Sequence, residues 1–210
     1  TDPQTWKWTN ADWLLAKLAR EVHKRDMRTI MEISPDVTSN KFFANLNPKY
    51  NRWYRSRSDL RLDHNNRDAR EYVLNSLKKW ILGPDETFKT YEDDDGIDGV
   101  RYVFYKNENK KALSEITGEL KKFKPEILIL GDQSRSFGDD IEMGLYDTGV
   151  DYNYVNEMIK YIVNTNSNYK IDNVEFASKM AEIYNQYSKQ KFYGAEIYLD
   201  SIDTDRIYSG

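Results

Sequence analysis

The sequence has no cysteine. Disulfides and thiol catalysis are therefore excluded, while secreted, cell-surface and cytoplasmic settings all stay compatible. No run approaches the roughly 18 apolar residues of a membrane-spanning helix. There is no glycine-rich phosphate loop, so a nucleotide-binding fold has no positive support. Positive charge is not in excess: 31 Lys and Arg face 35 Asp and Glu, for a net charge of −4. Nothing in that balance favours nucleic acid or an anionic membrane. The two histidines, His23 and His64, are far apart without ligand spacing, and no Ser-His-Asp or metal-ligand cluster emerges. No metal or other cofactor is called for, and His23, on a helix beside Lys24 and Arg25, is expected at the surface. An initiator Met and a signal-like segment are also missing. The chain opens "TDPQTWKW", which reads as the middle of a loop and suggests part of a longer polypeptide.

What is present suits a globular protein with a well-hydrated surface: 39% apolar and 31% charged residues over 210 positions, enough for one domain with a real core or two small ones. Aromatics are plentiful, with 16 Tyr, 8 Phe and 5 Trp. They can serve as flat platforms for sugar rings or simply as packing. "RWYRSRS" (52–58) offers the same choice between stacking on an anionic or sugar ligand and packing on neighbouring loops.

Periodicity predicts helices and strands in alternation. Trp13, Leu14, Leu18 and Val22 have helical spacing, with Thr9 or Asn10 as cap. "RTIMEIS" is a strand. Residues 38 to 66 are a long excursion or small subdomain. A helix follows in "NNRDAREYVLNSLKKWIL", capped by Asn66, with Ala69, Tyr72, Val73, Leu77 and Trp80 inward. "IDGVRYVFY" is a strand, "NKKALSEITGELKKF" a helix, and "PEILILG" a buried strand. Helices near 151–163 and 173–187 precede a last strand, "GAEIYLDS". Short apolar strands joined by helices indicate a parallel α/β sheet, either doubly wound or a β/α barrel. Function in both lies at the C-terminal strand ends, here Ser34–Val37, Val103–Tyr105, Asp132–Ser134 and Ser201–Asp203. The acidic "EDDDG" lacks the spacing of a helix-loop-helix calcium site and is expected to be a solvated loop.

Six segments, in order, carry a resemblance. "LAREVHKRDMRTIMEISPDVTS" looks like a helix and strand ending in Asp-x-x-x-Asn-His. "LDHNNRDAREYVLNSLKKWI" is similar to Leu-Asn-x-x-Asn-x-x-Val-Arg-x-Tyr and its helix. "DGIDGVRYVFY" matches Gly-Ile-Asp-Gly-Phe-Arg-Leu-Asp, and "KPEILILGDQS" matches Lys-Pro-Asp-x-x-x-x-Gly-Glu. "LYDTGVDYNYV" resembles Phe-Asp-x-x-Met-Asn-Tyr, and "YLDSIDTDR" matches Leu-Asp-Ser-His-Asp-Thr-x-Arg. Together they resemble the alpha-amylase family of glycoside hydrolases, in its neopullulanase and cyclomaltodextrinase branch. The resemblance implies a (β/α)8 TIM barrel, of which residues 1–210 would hold roughly strands three to seven, with the usual insertion after strand three shortened to about 38–66. Missing chain or a protein partner would complete the barrel.

The family's retaining chemistry needs a nucleophilic carboxylate and an acid/base carboxyl roughly 5 to 5.5 Å apart. Carried over, the nucleophile falls on Val103, which cannot attack an anomeric carbon. The acid falls on Asp132, one methylene short of the family's Glu. The third acid falls on Asp203, preceded by Ile202 instead of His. The first motif falls on Glu32, Asp36 and Val37. Arg101 matches the residue that orients the nucleophile. It is expected to pair with Asp132 or Asp203, or else to hold sugar with Asp36. The expectation is a catalytically degenerate module that binds alpha-glucan weakly or serves as a structural or interaction element. The alternatives are an active alpha-glucan hydrolase with a rearranged site, in which Asp132 or Asp203 does unusual duty, and a fragment whose missing strands matter more than the substitutions.

Overall fold

The computed structural model describes residues 7–56, 58, 60–84, 94–103, 109–131, 137–150 and 172–189. The chain divides into two compact units, Thr1–Leu130 and Gly131–Gly210. Strands β1 (Ile30–Ile33), β4 (Gly99–Tyr102), β5 (Leu128–Gly131) and β6 (Thr148–Gly149) form one sheet in that spatial order. Strands β2 (Tyr54–Ser56) and β3 (Arg61–Leu62) pair antiparallel in the excursion after β1. The sheet is parallel, with helices between its strands. The predicted helix at 151–163 and strand at 194–201 lie outside the described residues.

In the first unit, helix α1 (Asn10–His23) begins with a capping box: the Asp12 N–H donates to Thr9 Oγ1, and the Thr9 N–H donates to the Asp12 carboxylate at 2.7 Å. Its predicted apolar side is not its buried side. Asp12, Ala16, Ala19 and His23 face inward, whereas Trp13, Leu14 and Leu18 are 47%, 69% and 56% exposed. Helix α3 (Arg67–Leu82) follows expectation at its start, where Asn66 accepts from the Ala69 N–H. Ala69, Val73, Leu77 and Ile81 make its buried stripe. Helix α4 (Lys110–Phe123) buries Leu113, Ile116 and Leu120 and tolerates Gly118, which has no atom within 4 Å of where a Cβ would stand.

The excursion has its own aromatic centre. A short helix, α2 (Phe43–Leu46), leads into a 3-10 turn over Pro48–Trp53. Phe43 meets Tyr50, Trp53 and Tyr72 at centroid distances of 5.1, 5.9 and 5.3 Å. Tyr72 belongs to α3, so these rings fasten the excursion to the helix layer. In the second unit, α5 (Phe137–Glu142), β6 and α6 (Asn173–Lys189) are described. Gly149 approaches Gly131 so closely that a Cβ would lie 2.4 Å from its carbonyl oxygen.

The acidic stretch before β4 departs most from expectation. Asp94 and Asp95 are buried, at 6% and 2% exposure, and His23 at 1%; neither the solvated loop nor the surface histidine is found. The Asp94 carboxylate accepts from the Gly96 N–H at 2.9 Å and from Lys124 Nζ at 3.2 Å. Asp95 pairs with Arg20 at 3.0 Å. His23 donates Nδ1–H to the Asp94 carbonyl at 2.6 Å, and its Nε2 lies 2.8 Å from the Asp98 carboxylate. Asp98 also accepts from the Thr29 N–H at 2.7 Å. Burial of these charges is made tolerable by partners brought from α1 and from the end of α4. The turn fits only with glycine: a Cβ on Gly96 would stand 2.1 Å from the Ile81 carbonyl oxygen.

Candidate functional site

Strand alternation decides which side chains can meet a ligand. Thr117 Oγ1 of α4 donates to the Tyr102 hydroxyl at 3.4 Å, so Tyr102, and with it Val100, faces the helices. Both are fully buried, and burial pushes the Tyr102 phenol up to about 12. The alternate residues Gly99, Arg101 and Val103 face the other way. The register Ile30↔Gly99 and Glu32↔Arg101 puts Ile30 and Glu32 beside them. A Cβ on Gly99 would lie 2.6 Å from Ile30 Cδ1 and 3.1 Å from Leu128 Cβ, which confirms one layer across three strands. This is the face a closed barrel fills with layers of side chains.

Val103 continues the alternation, because its N–H donates to the Ile33 carbonyl at 2.8 Å. It stands at the C-terminal end of β4, half-buried, on the side of Arg101. Arg101 Nε lies 3.8 Å from Glu32 Oε2, a partner in the neighbouring strand that the sequence reading did not choose. The Glu32 side chain is 66% exposed, so this pair contributes little to stability. The expected partners Asp132 and Asp203 lie outside the described residues.

Asp36 is 3% exposed in the turn after β1. Its carboxylate accepts from Ser34 Oγ at 3.2 Å, and its carbonyl accepts from the Leu62 N–H at 3.0 Å. Asp36 thus ties the end of β1 to β3, and its side chain is turned into the protein. His64 was not singled out by spacing, yet it lies at this same end. It is 1% exposed and donates Nε2–H to the Pro35 carbonyl at 2.8 Å. Burial holds its imidazole below the ordinary 6.5, opposed by the Pro35 hydrogen bond and by Asp36 and Asp63. His64 is therefore a neutral brace under the strand end. Its signal was its position just before the α3 cap, where the chain must return beneath the β1 tip. Among the described residues, no group of three or more His, Cys, Asp or Glu could hold a metal ion, and no helix is long and apolar enough to cross a membrane.

A parallel sheet with helices between its strands, and with Arg101 and Val103 on the face away from those helices, defines a class: part of a β/α barrel. No protein-family profile and no curated protein matches the chain. Solved structures do. A cyclomaltodextrinase matches 93% of this chain and 36% of its own, at TM-score 0.75 and 20% identity. The cyclic alpha-maltosyl-(1→6)-maltose hydrolase of Arthrobacter globiformis matches 92% and 46%, at 0.77 and 16%. The alpha-amylase of Geobacillus thermoleovorans, complexed with acarbose, matches 93% and 45%, at 0.68 and 21%. The chain thus shares the barrel fold of the alpha-amylase family glycoside hydrolases and spans between about a third and a half of the length of these structures. At such identities the likeness is one of fold.

Proposed function

We propose that the chain is a catalytically degenerate portion of an alpha-amylase-type barrel, which contacts alpha-glucan weakly and does not cleave it. The observation that carries this reading is Val103: a hydrocarbon side chain at the tip of β4, on the inner face beside Arg101. Covalent glycosidase chemistry requires a carboxylate at that point to trap the oxocarbenium-like centre. Arg101 engages Glu32 across the sheet, and Asp36 is turned inward, so neither waits as an open sugar-binding group. The solved structures of the same fold include a hydrolase of a cyclic maltosaccharide and an alpha-amylase with acarbose, which supports alpha-glucan as the ligand class.

The test is incubation with maltooligosaccharides and cyclodextrins, scored for new reducing ends, with calorimetry for binding. The expected result is no turnover and weak heat of binding. Turnover that Asp132→Asn abolishes would overturn the reading in favour of an active hydrolase with a rearranged site. If heat of binding is also absent, the degenerate module acts through protein contacts alone.

A further inference from the structure

We infer that His23 is a proton-dependent latch: its ring donates from both nitrogens, to the Asp94 carbonyl and to the Asp98 carboxylate, and so fastens the end of α1 to the turn before β4 only while it carries both hydrogens. The inference rests on the fold and not on the glucan reading. His23 is the last residue of α1 and is 1% exposed, so bulk water does not replace a lost partner. Nδ1 lies 2.6 Å from the Asp94 carbonyl oxygen, and Nε2 lies 2.8 Å from the Asp98 carboxylate. A carbonyl and a carboxylate only accept. Asp98 Oδ2 already accepts from the Thr29 N–H at 2.7 Å, and Oδ1 accepts from Arg28 Nη1 at 3.3 Å. The hydrogen in each ring contact therefore comes from the imidazole, and two such contacts need the doubly protonated ring. A ring with a single hydrogen would set a nitrogen lone pair against oxygen at one of the two places.

The surroundings suit a positive ring. A helix end carries the negative pole of the helix dipole, and the ring stands there. Charged groups reach this corner from each element packed on it. The turn brings Asp94, Asp95 and Asp98, α1 brings Arg20, the end of α4 brings Lys124, and the lead into β1 brings Arg28. Arg20 pairs with Asp95 at 3.0 Å, Lys124 with Asp94 at 3.2 Å and Arg28 with Asp98 at 3.3 Å. Lys24 and Arg25, next in the chain, are exposed and engage Glu21. The Arg28 side chain is 62% exposed, so its hold on Asp98 is screened by solvent. The fully buried His23 ring is the stronger tie. The sense of the device follows from its hydrogens. The bridge is closed on the acid side and opens as pH rises and the second hydrogen leaves, opposite in sense to the neutral His64 brace.

The experiment follows the His23 ring nitrogens and the Thr29 amide together, by NMR on the full chain. The sequence has two histidines, so His64→Gln assigns the ring signals. The pH is raised from about 5, the acid end of the range in which histidine ordinarily changes charge, until the His23 ring has lost one hydrogen. Thr29 protection, corrected for the intrinsic pH dependence of exchange, should fall at least about tenfold in step with the ring. Asp98→Asn provides an amide N–H that can donate to the bare nitrogen, so in this variant Thr29 protection should no longer follow the ring. Ring nitrogens that never both carry hydrogen in the folded chain would overturn the inference. So would Thr29 protection that stays unchanged as the ring titrates, or a loss that Asp98→Asn leaves in place. If that variant does not fold, the comparison of ring and amide in the unsubstituted chain decides alone.

Discussion

Replacing Lys124 by Met tests the acidic turn before β4. Lys124 and Asp94 are each 8% exposed at the side chain and lie 3.2 Å apart. Methionine keeps most of the buried stem and removes the charge, leaving the Asp94 carboxylate with only the Gly96 N–H among these two contacts. Removing one partner of a buried pair typically costs about 3 to 5 kcal/mol. Because that N–H remains, the lower end applies, about 3 kcal/mol. With a urea slope of about 2 kcal/mol/M, the midpoint falls by about 1.5 M. Adding Asp94→Asn removes the stranded charge and keeps an acceptor for Gly96. The double variant should therefore recover about 2 kcal/mol, a clear coupling in a double-mutant cycle. The assay is tryptophan fluorescence against urea. All five tryptophans lie between residues 6 and 80, within the first unit, so the signal reports that unit. A loss below about 1 kcal/mol for Lys124→Met, or strictly additive single effects, would refute the claim that buried charge pairing holds this turn.

Gly96→Ala should lose about 3 kcal/mol or fail to fold, since the added methyl meets the Ile81 backbone carbonyl; urea denaturation measures it. Gly118→Ala should gain about 0.8 kcal/mol, because the methyl enters open space on α4 and the helix loses its most flexible residue. His64 carries a pH signature. Its folded imidazole titrates below the ordinary 6.5, so the unfolded chain takes up a proton first as pH falls through about 6.5, and stability declines below that point. His64→Gln should shrink the drop in urea midpoint between about pH 7.5 and pH 5.5, and an unchanged drop would remove His64 as its source.

The order α1, β1, α3, β4, α4, β5 was legible because each of these elements carries its own local signal, whereas α5, β6 and the short elements of the excursion were not foreseen. Asn66 and Thr9 announced their helices, and β1, β4 and β5 are short apolar runs. The inward face of α1 was not legible. Its largest apolar residues point outward, and small Ala16 and Ala19 sit inside with Asp12 and His23. The acidic turn was misread too. Charges read as solvated unless their partners are known, and Arg20 stands 75 residues from Asp95 while Lys124 stands 30 from Asp94. The Glu32–Arg101 pair was within reach of the sequence, since aligning β1 and β4 as parallel neighbours places the two opposite each other. Val103 was placed by resemblance, and the alternation of β4 shows which way it faces.

The two ends of β4 answer to different demands. Its entrance is bolted by interlocking ionic and backbone contacts drawn from α1, from the end of α4 and from the turn itself. Its exit needs only a side chain compatible with an extended backbone, and valine meets that need as readily as an acid would. A lineage can therefore discard the reactive groups at the exits one at a time without loosening the frame, whereas a single change at the entrance endangers the whole unit. Loss of chemistry with retention of shape is the outcome this division of labour makes easy.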